Sequence, residues 1–382
     1  MKQCPGLLTM LTELVSTPSV SSTQSGWDQS NLPVIELLEG WLTQLGFQVE
    51  VLPVPGYPGK ANLIATLGSG PGGLVLSGHT DTVPYNSELW HSDPFKLTEK
   101  NNRLYGLGSC DMKGFIAIAI EAAKDFLDSP LQQPLIILAT ADEESSMSGA
   151  RALAALGKPK ARYAVIGEPT GLKPVYMHKG FMVEAVRIEG KAGHSSDPSL
   201  GASALDAMHA VLSELIMFRT EMKQNYRNSA FNITEPTLNL GCVHGGDNPN
   251  RICGRCDLEY DLRPLPGMDL DNLREEVSSR LAPLANQFGV HIKTESLQAG
   301  FPAFANSKMS DLVRTAEKLT GFEAETVAFG TEAPFIQSLG MDTIIMGPGC
   351  IDQAHQPDEF LALDQIKPTV AILQQMIRQY CL

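Results

Sequence analysis

Four mostly apolar runs constrain this chain more than any other feature: residues 62–67, 74–78, 135–141 and 163–167, each bounded by glycine, proline or acidic residues. They lack the strict polar–apolar alternation of a sheet with one wet face. Strands buried on both faces read this way, and they occur mainly where helices cover a parallel sheet. Residues 115–127 and 148–156 read as the helices between them. Strand and helix in alternation predict an α/β fold: a mixed, mostly parallel sheet with helices on both faces. An amphipathic helix opens the chain. Leu7, Leu8, Leu11, Leu14 and Val15 share one stripe, and Glu13 interrupts any signal-like apolar stretch.

Residues 68–73, Gly-Ser-Gly-Pro-Gly-Gly, fit the G-x-G-x-x-G spacing of a dinucleotide loop. That loop needs a helix after it, and here a strand follows. The expectation is a hairpin turn. At Phe181 the rhythm changes. Strand 181–189, helix 202–219, strands 237–243 and 256–263, helix 270–284 and strand 290–295 follow the β-α-β-β-α-β order of a ferredoxin-like unit. This predicts a main domain over 1–180 and 299–382, with a second domain, 181–298, inserted in it.

Composition narrows the partners. With 29 Lys and Arg against 43 Asp and Glu, the net charge of the 382 residues is −14. That disfavours nucleic acid and an anionic membrane surface. No apolar run reaches the roughly 18–20 residues of a transmembrane helix. Seven scattered cysteines suit a reducing cytoplasm better than a disulfide framework. Cys253 and Cys256 have C-x-x-C spacing, but neither a helix start nor a second pair accompanies them. They read as packing residues, on opposite faces if the chain is extended there.

Candidate chemistry collects just past the strand ends. Residues 74–78 run into His79-Thr-Asp81, residues 135–141 into Asp142-Glu143-Glu144, and residues 163–167 into Glu168-Pro169. Asp111 sits in the glycine-rich turn Gly106-Leu-Gly-Ser-Cys-Asp111-Met-Lys-Gly114, and Ala354-His355-Gln-Pro-Asp358 follows Gly347-Pro-Gly349. Ligands of open α/β sheets bind beyond the carboxyl ends of the strands. Two His and several carboxylates converging there point to divalent metal, zinc first. Taken singly, each is ordinary: a hydrogen-bonded His, a solvated acidic pair, a turn-forming Asp. Their collection at one sheet end weakens that reading, because adjacent acids after a buried run need a compensating cation or a wet cleft. In the inserted segment, Arg251 with Asn248 and Asn250 suits a substrate carboxylate through its guanidinium fork. Thr331 and Glu332 follow a strand-like segment. Glu332 could meet a cationic substrate side chain or sit in the first turn of a helix.

In this order, His79-Thr-Asp81-Thr-Val-Pro84, Gly108–Gly114, Asp142-Glu143-Glu144, Gly167-Glu168-Pro169, Gly193-His194-Ser195 and Ala354-His355 resemble the aminoacylase and succinyl-diaminopimelate desuccinylase family of di-zinc hydrolases. The resemblance covers nearly the whole chain. It implies a metal-dependent amide hydrolase with two divalent ions, Zn²⁺ with Co²⁺ as the alternative. His79 and Glu168 would hold one ion, Glu144 and His355 the other, and Asp111 would bridge them. It further implies Glu143 as general base, Asp81 hydrogen-bonded to the far ring nitrogen of His79, and a cis peptide at Asp111–Met112. His194, otherwise a polar cap on its loop, would reach the active site, often the partner subunit's, within a homodimer joined through the inserted domain. Segments such as Asn250-Arg-Ile-Cys253 and Thr331-Glu-Ala-Pro-Phe335 imply deacetylation of N2-acetyl-L-ornithine to L-ornithine and acetate, in cytoplasmic arginine biosynthesis. A related deacylase or dipeptidase acting on another N-acyl amino acid, such as N-succinyl-diaminopimelate, is the nearer rival. A non-catalytic amino-acid or peptide-binding protein is the rival of another class, and it has no need of Glu143 beside a full ligand set.

Overall fold

A computed structural model describes residues 4–382. Along the chain the helices are α1 (Leu7–Val15), α2 (Leu32–Gln44), α3 (Lys113–Ala123), α4 (Ser148–Leu156), α5 (Ala204–Asn225), α6 (Leu270–Phe288), α7 (Asp311–Thr320), α8 (Ala333–Ser338) and α9 (Leu363–Cys381). The principal strands are β1 (Gln48–Pro53), β2 (Ala61–Leu67), β3 (Leu74–His79), β4 (Leu135–Thr140), β5 (Tyr163–Pro169), β6 (Met182–Glu189), β7 (Thr237–Gly245), β8 (Arg255–Arg263), β9 (His291–Ser296) and β10 (Asp342–Gly347). Contacts divide them into two units. The first holds the described residues up to Tyr176, with Asn306–Glu325 and Thr331–Leu382. The second holds Met177–Ala305 and also Thr326–Gly330, a short piece that the sequence placed with the first.

In the first unit the strands lie in the order β1-β2-β4-β3-β5-β10. β4, β3, β5 and β10 run parallel, and β2 and β1 join antiparallel at one side. Side chains alternate between the two faces of a strand. Leu63, Leu76, Ile137 and Val165 therefore enter the core built with α1, α2, α3 and α9. Their neighbours Ile64, Val75, Ile136, Leu138 and Ile166 are buried too, outside that cluster. α8 packs on β5 and β10, and α4 packs on α8. Both faces are thus covered, which is why these strands read as unbroken apolar runs.

The expected hairpin at residues 68–73 is not there. β4 lies between β2 and β3, so the two strands joined by this turn never pair. The glycines serve a close crossing instead. Gly73 has φ +97, and a Cβ on it would collide with the Pro134 carbonyl at the entry to β4. The helix expected over 115–127 starts at Lys113 and tightens after Ala123 into a 3₁₀ turn, Lys124–Phe126.

The second unit carries the antiparallel sheet β7-β8-β6-β9, with α5 and α6 on it. Ser203 and Asp269 cap the two helices by accepting backbone N–H groups. Cys256, Leu258, Tyr260 and Leu262 of β8 point into this unit's core. Cys253 joins the same core, because it precedes β8 and so escapes the strand alternation that would have sent the two thiols apart. Neither pairs, and the other cysteines are free as well. Among the described residues no helix is long and apolar enough to cross a membrane.

Two changes probe these cores. A Cβ at Gly167 would fall inside the Phe115 ring. Gly167→Ala is expected to lower the stability of the chain by about 3 kcal/mol, read as a lower urea midpoint. His178 is buried, its Nδ1 lies 2.8 Å from the Lys179 carbonyl, and burial pushes its pKa down to about 4. The unfolded chain takes up that proton near pH 6.5 and the folded chain does not. Stability is therefore complete above pH 6.5 and falls with acidification toward pH 4, by up to about 3 kcal/mol. His178→Asn is expected to flatten that slope.

Candidate metal centre

β3, β4 and β5 are neighbours with parallel directions, so their carboxyl ends open at one place. His79 is the last residue of β3, Glu168 lies near the end of β5, and Glu143 and Glu144 stand on the turn after β4. The turn before α3 supplies Asp111, and the segment after β10 supplies His355. His79 Nε2 lies 3.0 Å from Asp111 Oδ1. His355 Nε2 lies 3.0 Å from Glu144 Oε2 and 3.8 Å from Asp111 Oδ2. The two oxygens of Asp111 thus face different imidazoles, as a bridging carboxylate must. Donor atoms of His79, Asp111 and Glu144 lie within 4.8 Å of one another, and so do those of His79, Glu143 and Glu168.

The electrostatics describe a site built for cations. Burial, with Asp111 nearby, pushes Glu168 well above the ordinary carboxylate range. Burial, with Glu168 nearby, does the same to Glu143. Burial opposes a charge on His79, yet the bond to Asp111 and the fields of Glu168 and Asp81 hold its pKa well above 6.5. The bond to Glu144 lifts His355 to about 9. Protons on the imidazoles offset the crowded carboxylates. Two divalent ions held by two imidazoles and three carboxylates offset them better, and this nitrogen and oxygen donor set fits such ions.

Backbone details hold the donors. The Asp111–Met112 peptide is cis, as the resemblance implied. Asp81 departs from its expected role. Its own carbonyl oxygen, at 3.0 Å, takes the His79 Nδ1 bond, while its carboxylate is 3.8 Å away. That carboxylate accepts the N–H groups of Glu143 and Glu144 at 3.2 and 3.0 Å. Burial raises it to about 6. Asp81 therefore fixes both the ring of His79 and the turn bearing the two glutamates.

Several residues of this site carry no signal in the sequence reading. Glu359 is buried and accepts the N–H groups of Gly108, Cys110 and Asp111 at 3.1, 2.8 and 2.9 Å. It ties the Asp111 turn to the His355 segment, and burial lifts its pKa to about 8. Lys113 is buried beneath that turn and donates to the Leu14 and Thr17 carbonyls at the end of α1. In the sequence Glu359 is one more acid after Asp358, and Lys113 one more cation.

The other expected site residues fall into two places. Thr331 and Glu332 belong to the first unit. Thr331 Oγ1 accepts the Ala333 N–H at the start of α8. Glu332 is buried and accepts from Ser77 Oγ at 2.5 Å. In the second unit, His194 and Arg251 form a β-bridge, and the Asn250 carbonyl accepts the Ser195 N–H. The Arg251 guanidinium is exposed and pairs with Asp247 at 2.6 Å.

Comparison with known proteins gives the chain a lineage. A protein named acetylornithine deacetylase from Pasteurella multocida is 48% identical over 381 residues, covering 100% of both chains. Two solved structures share the fold at low identity. An aminopeptidase PepT from Bacillus cereus aligns with a TM-score of 0.77 at 20% identity, over 98% of this chain and 97% of its own. A dinuclear metal binding peptidase from Bacillus subtilis aligns with a TM-score of 0.67 at 15% identity, over 97% of each. Residues 75–379 match the sequence pattern of peptidase family M20/M25/M40, and the chain belongs to that family.

Proposed function

We propose that this chain is a dinuclear metallo-amidohydrolase that cleaves N2-acetyl-L-ornithine to L-ornithine and acetate, with Zn²⁺ as the resident ion. The observation that carries the substrate is the 48% identity, end to end, with a protein named acetylornithine deacetylase. The donor geometry supports the class of reaction. His79 and Glu168 would hold one ion, Glu144 and His355 the other, with Asp111 between them. Bound there, the ions supply a Lewis acid for the acyl carbonyl and acidify water in the cleft.

The chain's own groups do the rest. His79 donates from Nδ1 to the Asp81 carbonyl, so Nε2, which faces Asp111 here, is the nitrogen that would ligate an ion once its proton is displaced. Glu143 is the general base. Its carboxylate takes a proton from water as the water oxygen bonds to the acetyl carbon. It returns that proton to the departing amine nitrogen as the C–N bond breaks. Between the two steps Glu143 carries that proton. His194 would donate to the developing oxyanion from the partner subunit of a homodimer joined through the second units. Arg251, exchanging Asp247 for substrate, and Asn250 would hold the α-carboxylate. Glu332 is engaged with Ser77 and is better suited to bracing β3 than to touching substrate.

The metal-stripped chain is expected to release no acetate from N2-acetyl-L-ornithine, and added Zn²⁺ or Co²⁺ is expected to restore release. N-succinyl-diaminopimelate should stay intact in the same assay. Turnover of that compound in preference would move the chain to the desuccinylase reading. No turnover of any acylated amino acid by metal-loaded chain would leave a binding protein. Glu143→Gln should keep both ions and lose about 10³-fold in kcat. Near-normal turnover by that variant would remove Glu143 from the base role. His194→Ala should lose about 10²–10³-fold in kcat with metal content unchanged.

A further inference from the structure

The Glu143–Glu144 turn is rooted in a buried ion pair that includes none of the metal donors. Asp142, which opens the turn, has φ +55, in the left-handed region that aspartate tolerates better than most residues with a side chain. Oδ1 accepts from Ser21 Oγ at 2.9 Å and lies 2.7 Å from Lys60 Nζ. Oδ2 accepts from Ser148 Oγ at 3.0 Å. The Asp142 carbonyl accepts the Ser146 and Met147 N–H groups and closes the turn. Lys60 Nζ also lies 2.7 Å from Asp28 Oδ1. Lys60 and Asp142 are 4% and 3% exposed, and among the described residues Lys60 is the cation paired with Asp142. Hydroxyl groups can satisfy the lone pairs of a buried carboxylate, but they do not balance its charge.

We propose that Lys60 is a positioning residue for the reaction. By clamping Asp142 to Asp28 it fixes the turn that aims Glu143 at water and Glu144 into the metal centre. The turn is then held twice, at its root by Lys60 and over Glu143 and Glu144 by the Asp81 carboxylate. This inference rests on the assignment of Glu143 and Glu144 given above. A group one step removed from a metal centre typically carries 10–100-fold in affinity or activity.

The test is Lys60→Met in the full chain, with kcat and KM for N2-acetyl-L-ornithine measured per metal-loaded molecule and Zn²⁺ affinity measured against a competing chelator. The expected result is a kcat about 10–100-fold lower, KM within about twofold, and about tenfold weaker Zn²⁺ binding. Lys60→Arg keeps the charge and should recover most of both. Wild-type kcat and affinity in Lys60→Met overturn the inference, as does a variant whose sole loss is a lower urea midpoint. Where Lys60→Met does not fold, Asp28→Asn decides. It leaves the buried pair intact and should lower kcat about three- to tenfold, below the 10–100-fold range of a group whose own pair is lost. No change in kcat or Zn²⁺ affinity there overturns the inference. Glu143→Gln assayed alongside separates the two readings. Normal turnover in Glu143→Gln overturns the base assignment, whereas inactive Glu143→Gln beside normal Lys60→Met overturns the role of Lys60 alone.

Discussion

Carboxylates crowded together away from water are the constraint that the rest of the first unit answers. Asp111, Glu143, Glu144 and Glu168 share one cleft with two imidazoles, and Asp81, Asp142, Glu332 and Glu359 lie buried around them. Like charges at this spacing repel strongly in a medium less polar than water, and each also loses hydration. The fold meets this in three ways. Imidazoles face the ligand carboxylates. Backbone N–H groups face Asp81 and Glu359. A lysine ammonium faces Asp142. The acids of the site therefore divide by partner. Those facing each other across the cleft are left for cations, and those satisfied by amides or by Lys60 shape the loops that carry the first group.

The parallel sheet makes this arrangement possible. Strands β4, β3 and β5 end side by side, so residues far apart in sequence arrive within bonding distance without long loops. His79 needs no loop at all, being still in β3. This is also why the gathering of candidate donors was legible in the sequence. Each buried run announced a strand, and the first polar residues after it announced the strand's carboxyl end. The proposed pairing of those donors rests on resemblance, because spacing alone leaves it open.

What stayed hidden was non-local. The turn at 68–73 read as a hairpin because nothing near it shows that β4 inserts between β2 and β3. Asp81 was expected to use its carboxylate on His79. Its carbonyl was nearer, and the carboxylate was drawn to two amides after β4. Glu359 and Lys60 were invisible because their roles are partnerships with groups from distant segments. A lysine after a Pro-Gly turn and a glutamate after an aspartate are ordinary surface residues until the chain is folded around them. Residues that hold backbone leave no spacing rule behind, whereas the candidate metal donors recur at the strand ends.

The two ends of the centre are also unequally prepared. His79 and Glu168 are strand residues, buried to 1% and 5% exposure, and Asp111 beside them has its own amide gripped by Glu359. His355 sits on a loop, with its side chain 57% exposed and φ +60. Its polar partners in the cleft are Glu144 and Asp111. A non-glycine residue in the left-handed region holds its place only when its contacts fix it. For His355 those contacts include other members of the centre, and its loop is also held outside the centre, where the Asp358 carboxylate accepts the His91 N–H at 2.9 Å. The donors on the side of His79 and Glu168 are thus strand-borne, and the donor on the far side, His355, is loop-borne. The proposed Lys60 clamp on the Glu143–Glu144 turn bears on that side too, because Glu144 is the carboxylate that the His355 imidazole meets.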